Sequence, residues 1–395
     1  MIPFNKPYLT GKETTYITEA VYSGKISGNG FFTKKCHDFF HQRYGFKNCL
    51  LTNSCTDALE MTALLLDIEA GDEIIMPSYT FVSTANAFML RGAKIVFADS
   101  QADHPNVDAD KLESLITDKT KAIVVVHYAG MACDMDKIMG LAEKYDLAVI
   151  EDAAQAIHST YKGKPLGGIG SMSTFSFHET KNIISGEGGM LVINDEKYKK
   201  RAEIIWEKGT NRAAFFRGEV AKYNWVDLGS SFLPSEVTAA FLYAQLENLE
   251  QIQQKRQNVW HTYHEHLSKL ESLGVIKLPQ IPKHSGNNAH IFYILCKDIE
   301  ERTALINYLK EKNILAVFHY LPLHKSPFFE EKWGKQNPLP QSVYFEETLL
   351  RLPLFFDLSE SNQAYIIEQI MNFYAKRIVD LKPANTPKMQ GVSEK

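Results

Sequence analysis

Between roughly Asn48 and Asp195, short uninterrupted apolar runs alternate with amphipathic segments, and no other feature restricts the fold as much. Cys49–Thr52 reads as a strand and residues 56–66 as a helix. Glu73–Pro77 is the next strand, followed by a helix through Ala85 and Leu90. Residues 94–99 and 122–127 are further strands, separated by a helix near 111–116. A helix over 134–145 leads into the strand Ala148–Asp152. Strands that are apolar at nearly every position must be covered on both faces, so this pattern implies an α/β fold with a mostly parallel sheet flanked by helices. In such sheets ligands bind beyond the carboxyl ends of the strands, where Asp152 and His127 fall.

The alternation weakens after about residue 195. A long helical pattern over 235–270 follows the loop from Thr210 to Gly229. A strand-like run over 289–295, a helix near 302–312, a strand over 316–320 and a helix over 361–379 complete the pattern. At 395 residues the chain exceeds what one hydrophobic core usually spans. The expected division is a large domain over 1–235, including an N-terminal segment, and a smaller C-terminal α/β domain over 236–380. A disordered tail is expected over 381–395, where Pro383, Pro387 and Ser393 come without apolar periodicity.

Charge and composition exclude several classes. The net charge is −4, with 45% hydrophobic and 23% charged residues, which argues against a nucleic-acid binder and for a globular protein. The first residues hold no apolar run of signal-peptide length, and the longest apolar stretches are strand-sized, so no membrane span is expected. Cys36, Cys49, Cys55, Cys133 and Cys296 are scattered and lack a CxxC pair. Reduced thiols in a cytoplasmic protein, with neither disulfides nor a metal site, are the simplest reading.

The chemistry concentrates in two segments. One is Glu151-Asp152-Ala153-Ala154-Gln155, and the other Phe175-Ser176-Phe177-His178-Glu179-Thr180-Lys181-Asn182, followed by Gly186-Glu187-Gly188-Gly189. A strand that delivers an acid, then a serine and a lysine on a second strand, is what a pyridoxal phosphate (PLP) enzyme needs. Lys181 would form the Schiff base, which requires a partly neutral amine in a desolvated pocket, and Phe175 and Phe177 are consistent with one. Asp152 would hold the pyridine nitrogen protonated, Gln155 would reach the ring hydroxyl, and Ser176 would help grip the phosphate. Ser54-Cys55-Thr56, between a strand and a helix, offers hydroxyls and N–H groups for the same phosphate. Phe81 could lie on the pyridine face. Structural alternatives stay open: Asp152 or Ser54 as a helix cap, Phe81 as core packing, Gln155 as a solvated side chain.

At these residues the chain resembles the DegT-type sugar aminotransferases, which are fold-type I PLP enzymes. The resemblance extends to about Val379 and is carried by Ser54 to Leu59, Pro77 to Phe81, His127-Tyr128-Ala129-Gly130 and the two segments above. It implies a homodimer with the active site at the interface, L-glutamate as amino donor and a nucleotide-linked keto sugar as acceptor. His178 to Asn182, Glu207 to Arg212, Phe215 to Gly218, Gly229 to Phe232 and His319 to His324 most resemble the subgroup that aminates dTDP-4-keto-6-deoxyglucose at C4. That subgroup makes dTDP-4-amino-4,6-dideoxygalactose, a sugar of surface antigens or lipopolysaccharide. His178, His319 and Tyr320 are then the substrate-facing residues. The chain departs from many family members at Cys55, where they carry glycine, and at Ser231. At the latter position many carry an asparagine donated across the dimer to the phosphate.

Other functions remain as alternatives. Amination at C3, or a different C4 stereochemistry, would keep the same machinery. A non-catalytic PLP-binding regulator would not need a retained lysine. Related sugar dehydratases carry histidine at the position of Lys181, and no GxGxxG follows the first strand as a Rossmann dehydrogenase would require.

Overall fold

The computed structural model describes residues 1–335 and 337–381. Its strands in chain order are β1 (Cys49–Thr52), β2 (Glu73–Pro77), β3 (Lys94–Ala98), β4 (Thr120–Val126), β5 (Ala148–Asp152), β6 (Thr160–Tyr161), β7 (Lys164–Pro165), β8 (Met172–Ser176), β9 (Gly189–Ile193), β10 (Phe292–Leu295) and β11 (Leu349–Leu352). A seven-stranded sheet has the order β1-β9-β8-β5-β4-β2-β3. β9 is antiparallel to β1 and β8, and the other pairings are parallel, so the α/β architecture expected from the alternation is present.

Period-two alternation explains why these strands are apolar throughout. Ile123, Val125, Val149 and Phe175 enter one core together with Phe40 and Cys133. Their neighbours Ala122, Val124, Ile150 and Met172 enter a second core on the opposite face, with Leu59, Met61 and Trp206. A third core joins β10 and β11 to three helices, Leu249–Ser272, Ile299–Glu311 and Glu360–Leu381, through Trp260, Tyr263, Phe292, Leu305, Leu350 and Ile370. Among the described residues no helix is long and apolar enough to cross a membrane.

Four local expectations are corrected. Residues 111–116 form no α-helix but two short 3-10 turns, Ala109–Lys111 and Glu113–Leu115. There the Asp108 carboxylate takes the Asp110 N–H at 3.2 Å and the Thr120 hydroxyl takes the Thr117 N–H at 2.9 Å, so side chains outcompete a helical ladder. Residues 235–270 form two helices, Glu236–Leu246 and Leu249–Ser272, parted where the Asn248 amide donates to the Ala244 carbonyl at 3.0 Å. Only Phe292–Leu295 of the 289–295 run is a strand, because Ala289 turns the chain at φ +51. Residues 316–320 form no strand: Val317 makes a single antiparallel bridge to Arg351, and the Phe318 carbonyl accepts from the Arg351 side chain. The expected tail lies, from residue 382, outside the described residues.

Two tethers place the site. The chain start crosses to distant elements: Ile2 bridges to Ile314, Phe4 O accepts from Leu354 N at 3.4 Å, and the Tyr8 ring stacks on Phe356 at 3.6 Å. The second tether is Glu236, only 2% exposed, at the start of its helix. Its carboxylate accepts from the backbone N–H groups of Gly30 (2.8 Å), Phe32 (2.7 Å) and Thr33 (3.2 Å), capping the helix Phe31–Tyr44. Those donors have no other partner in a buried place. Glu236→Ala should therefore lower stability by about 3 kcal/mol, read as a fall in the urea midpoint, with Glu236→Gln losing about half as much.

Candidate active site

A cavity of about 890 Å³ opens where β5 and β8 end. Its wall brings together Ser54, Cys55, Thr56, Phe81, Asp152, Gln155, Ser176, His178, Lys181, His319 and Tyr320. Of the residues singled out in the sequence as site candidates, Ser231 alone lies outside that wall. It is exposed, bridges to Glu207, and its carbonyl accepts from the Asn53 amide at 2.9 Å.

Asp152 is the last residue of β5 and 5% exposed. Adjacent residues of a strand face opposite ways, which separates its role from that of Glu151. Glu151 turns to the other face and accepts from Gly167 (2.8 Å), Ile169 (2.8 Å) and Gly170 (2.7 Å) N–H. His127 lies 3.0 Å from Glu151 and is thereby directed into the scaffold and away from the cavity. Asp152 accepts from the Thr84 hydroxyl at 2.8 Å and from Ala154 N–H at 3.2 Å, and Thr80 Oγ1 lies 2.9 Å behind Thr84. Burial pushes the Asp152 carboxyl above the usual aspartate range, opposed by Thr84, Ala154 and the Lys181 charge.

Lys181 lies not on the second strand, as expected, but in the loop after β8, which ends at Ser176, and Phe177 at the start of that loop is fully buried in the core. Burial lowers its amine from the ordinary lysine value of 10.5, the Arg351 charge lowers it further, and Cys55 and Asp152 act in the opposite direction. The loop is held by its neighbour Asn182, whose amide donates to Gln253 Oε1 and Asn288 O, both at 2.8 Å, while Oδ1 lies 2.8 Å from His290 Nδ1. Asn288 in turn donates to the carbonyls of Gln155 and Ile157, both at 2.8 Å. The wall carrying the lysine is thus locked to the loop that follows the acid.

The helix Cys55–Leu65 begins at the cavity, with Ser54 as its cap accepting from Asp57 N at 3.0 Å. Its first N–H groups, at Cys55 and Thr56, have no protein partner among the described residues. Thr56 Oγ1 donates to Ser83 Oγ at 2.8 Å. Gly189, at the start of β9, backs this turn: a Cβ there would lie 2.3 Å from the Ser54 carbonyl carbon and 2.4 Å from Cys55 N. Burial raises the Cys55 thiol well above its usual range, so it is no thiolate nucleophile.

Gln155 has both ends of its amide committed. Oε1 accepts from Ala129 N–H at 2.7 Å, and Nε2 donates to the Tyr320 hydroxyl at 2.9 Å, so the hydroxyl proton of Tyr320 is left to face the cavity. His319 stacks on Tyr320 at 3.7 Å, with Nδ1 2.6 Å from the Tyr128 hydroxyl. Burial and the nearby charges of Arg351, His290 and Lys181 hold its imidazole neutral. His178 sits toward the mouth, 2.9 Å from Thr180 Oγ1, and Phe81 lies 6.4 Å from the Tyr320 ring.

Several residues of the site carry no sequence signal of their own. Thr80 and Thr84 stand four apart at a helix start, and nothing local ties them to Asp152. Phe4 and Asn5 reach the wall from the chain start, and Arg256, His290 and Arg351 from the far end. Asn182 was visible only as the neighbour of Lys181.

The donor set fits pyridoxal phosphate. A desolvated amine and a buried carboxylate share the cavity, and a helix start with free N–H groups, Ser54, Thr56 and Ser176 supplies a phosphate cradle. The sequence matches the DegT/DnrJ/EryC1/StrS aminotransferase family over residues 7–371. It is 34% identical to GDP-perosamine synthase of Escherichia coli O157:H7 over 95% of this chain and 99% of that one. It is 32% identical to the spore coat polysaccharide biosynthesis protein SpsC of Bacillus subtilis over 93% and 96% of the two chains. The structure superimposes on the PLP form of the putative sugar aminotransferase Spr1654 of Streptococcus pneumoniae with a TM-score of 0.87, at 28% identity, covering 95% of this chain and 99% of that one. The chain belongs to the DegT/DnrJ/EryC1/StrS aminotransferase family and is a fold-type I, pyridoxal phosphate-dependent sugar aminotransferase.

Proposed function

We propose that this enzyme moves the amino group of L-glutamate to the C4 keto group of dTDP-4-keto-6-deoxyglucose, giving dTDP-4-amino-4,6-dideoxygalactose and 2-oxoglutarate. The observation that carries amino transfer is the desolvated Lys181 amine sharing one cavity with the buried Asp152 carboxylate. The sugar assignment is supported by the stretches His178 to Asn182, Glu207 to Arg212 and His319 to His324, two of which reach the cavity wall. A GDP-linked acceptor is the second reading, favoured by the 34% identity to GDP-perosamine synthase.

Bound pyridoxal phosphate supplies an electron sink that permits a C–H bond beside a nitrogen to be broken. Asp152 would hold a negative charge against a cationic ring N–H. Ser54, Thr56 and Ser176 with the N–H groups of Cys55 and Thr56 would hold the phosphate, and Phe81 would cover the ring. Lys181 Nζ takes a proton from Cα of the donor in one half-reaction and delivers one to C4 of the sugar in the other. Gln155 keeps the Tyr320 hydroxyl aimed inward, and His319 and His178 face the substrate.

A homodimer with the site at its interface is part of the same proposal. Phe216 (70% exposed), Tyr223, Trp225 (77% exposed), Val226 and Leu228 form an apolar loop surface. The Asn29–Glu207 bond at 3.3 Å and the Thr210–Trp225 bridge hold it beside exposed Ile26 and Phe31. Monomers rarely leave such a surface bare. Ser231 lies on this side of the chain, where it can serve a partner's phosphate. A cytoplasmic site of action is proposed from the nucleotide-linked substrate and the free cysteines. We also place the division between large and small units within the helix Leu249–Ser272: Ala239, Leu242 and Ile252 share the first core, whereas Val259 and Trp260 share the third.

Incubating the purified enzyme with L-glutamate and dTDP-4-keto-6-deoxyglucose should give one product with an axial C4 amine by NMR; no product, with turnover of a GDP-linked keto sugar instead, would reverse the two readings. Lys181→Ala should fold yet transfer no amino group, and borohydride should fix the cofactor mass to the Lys181 peptide in the wild type alone. Gly189→Ala, which pushes backbone against backbone at the phosphate turn, should weaken cofactor retention about 10- to 100-fold in dialysis against free PLP. Because Lys181 works as a base and its amine is depressed, kcat should climb with pH on a limb whose midpoint falls below 10.5.

A further inference from the structure

We infer that His290 recognises the C3 hydroxyl of the sugar acceptor, taking its hydrogen bond at Nε2; the inference rests on the amino transfer to C4 proposed above. His290 stands just before β10, is 7% exposed and lines the cavity. Its backbone N–H donates to Asn288 Oδ1 at 3.1 Å, its carbonyl accepts from Arg256 Nη2 at 2.6 Å, and its Nδ1 lies 2.8 Å from Asn182 Oδ1.

The contact with Asn182 decides which ring nitrogen carries the proton. Asn182 Nδ2 donates to the backbone carbonyl of Asn288 at 2.8 Å, and a carbonyl can only accept, so Asn182 Oδ1 is an acceptor. Nδ1 of His290 must therefore bring the hydrogen. Burial, and then the charges of Lys181, Arg256 and Arg351, hold the imidazole neutral. Nε2 is left with a lone pair and, among the described residues, without a protein donor. A buried acceptor without a donor is unfavourable, and a bound hydroxyl relieves it.

The chemistry of that lone pair selects the ligand. It attracts an O–H or N–H donor and repels a carboxylate. L-Glutamate, with its amine engaged, has no such donor beside Cα. The sugar has one. In a 4-keto-6-deoxyhexose the neighbours of C4 are C3, which carries a hydroxyl, and C5, which carries the ring oxygen and a methyl group. His290 is close enough to Lys181 to feel its charge, and Lys181 works at C4, so the C3 hydroxyl is the one within reach. The contact therefore belongs to the second half-reaction alone.

The test bleaches the yellow holoenzyme with L-glutamate and restores it with a dTDP- or GDP-linked 4-keto-6-deoxy sugar. A wild type that does not bleach removes the amino transfer reading, and one that neither sugar restores removes the acceptor reading; this inference falls with either. H290N keeps a donor where Nδ1 stood, and so the bond to Asn182, but loses the Nε2 acceptor. With the sugar that restores the wild type, H290N should need about 20-fold more for half-maximal recovery, and the wild type about 20-fold more of the 3-deoxy analogue. H290N should treat the two sugars alike within about twofold, because variant and analogue remove the same bond. Its L-glutamate midpoint should stay within about threefold of the wild type, which also shows that the lysine loop is intact. H290Q, which returns an acceptor near the Nε2 position, should again prefer the hydroxylated sugar. H290F should lose that preference and serves in place of H290N should the latter not fold. A wild-type preference for the hydroxylated sugar in H290N or H290F overturns the inference. So does an equal loss toward L-glutamate in H290N, which would reduce His290 to a support of the Lys181 loop.

Discussion

Taking an amine and a carboxylate out of water inside one cavity is costly for both, and on the proposed function that cost is what Lys181 and Asp152 put to use. Burial drives the amine down and the carboxyl up, so each moves toward neutrality when alone. Thr84 and the Ala154 N–H hold the acid nearer its charged form, while the amine is left poised to exchange protons. The sheet supplies the geometry: Asp152 ends β5 and Ser176 ends the parallel neighbour β8, so acid and serine leave the same edge and the lysine follows five positions after Ser176.

What keeps that geometry is a buried polar network more than the many surface ion pairs. Pairs such as Lys12–Glu247 or Lys137–Asp110 are solvated and contribute about 0–1 kcal/mol each. The Asn182, Asn288, His290 and Gln253 cluster lies in a low-dielectric interior, where a lost partner leaves a donor stranded at about 1–3 kcal/mol. Gln155 shows the same economy: one amide steadies the turn at Ala129, which sits at φ +58, and orients Tyr320.

How much could be read beforehand follows from the range of the forces involved. Strands β1 to β5, and the short motifs that put Asp152, Lys181 and the Ser54–Thr56 turn in one cavity wall, were legible because apolar period and local motif are properties of neighbouring residues; β9, entered through Gly188-Gly189, was not read as a strand. Residues 111–116 were misread because helical periodicity over so short a span says nothing of Asp108 and Thr120 capturing the backbone. Residues 316–320 were misread because the acceptor of a strand neighbour is taken by a side chain from position 351. Arg351, Thr84 and His290 entered the site through contacts of long sequence separation, which a single chain does not display. Ser231, chosen for a contact across a dimer, has a position within this chain that leaves it outside the cavity wall.

The meeting of Phe4 with Arg351, and of Phe4 with Leu354, joins almost the first and some of the last residues of the chain in a single wall. Asp152, Ser176, Lys181 and the Ser54–Thr56 turn all precede β9, so the wall they face is completed by residues from both far ends of the chain, Phe4 and Arg351.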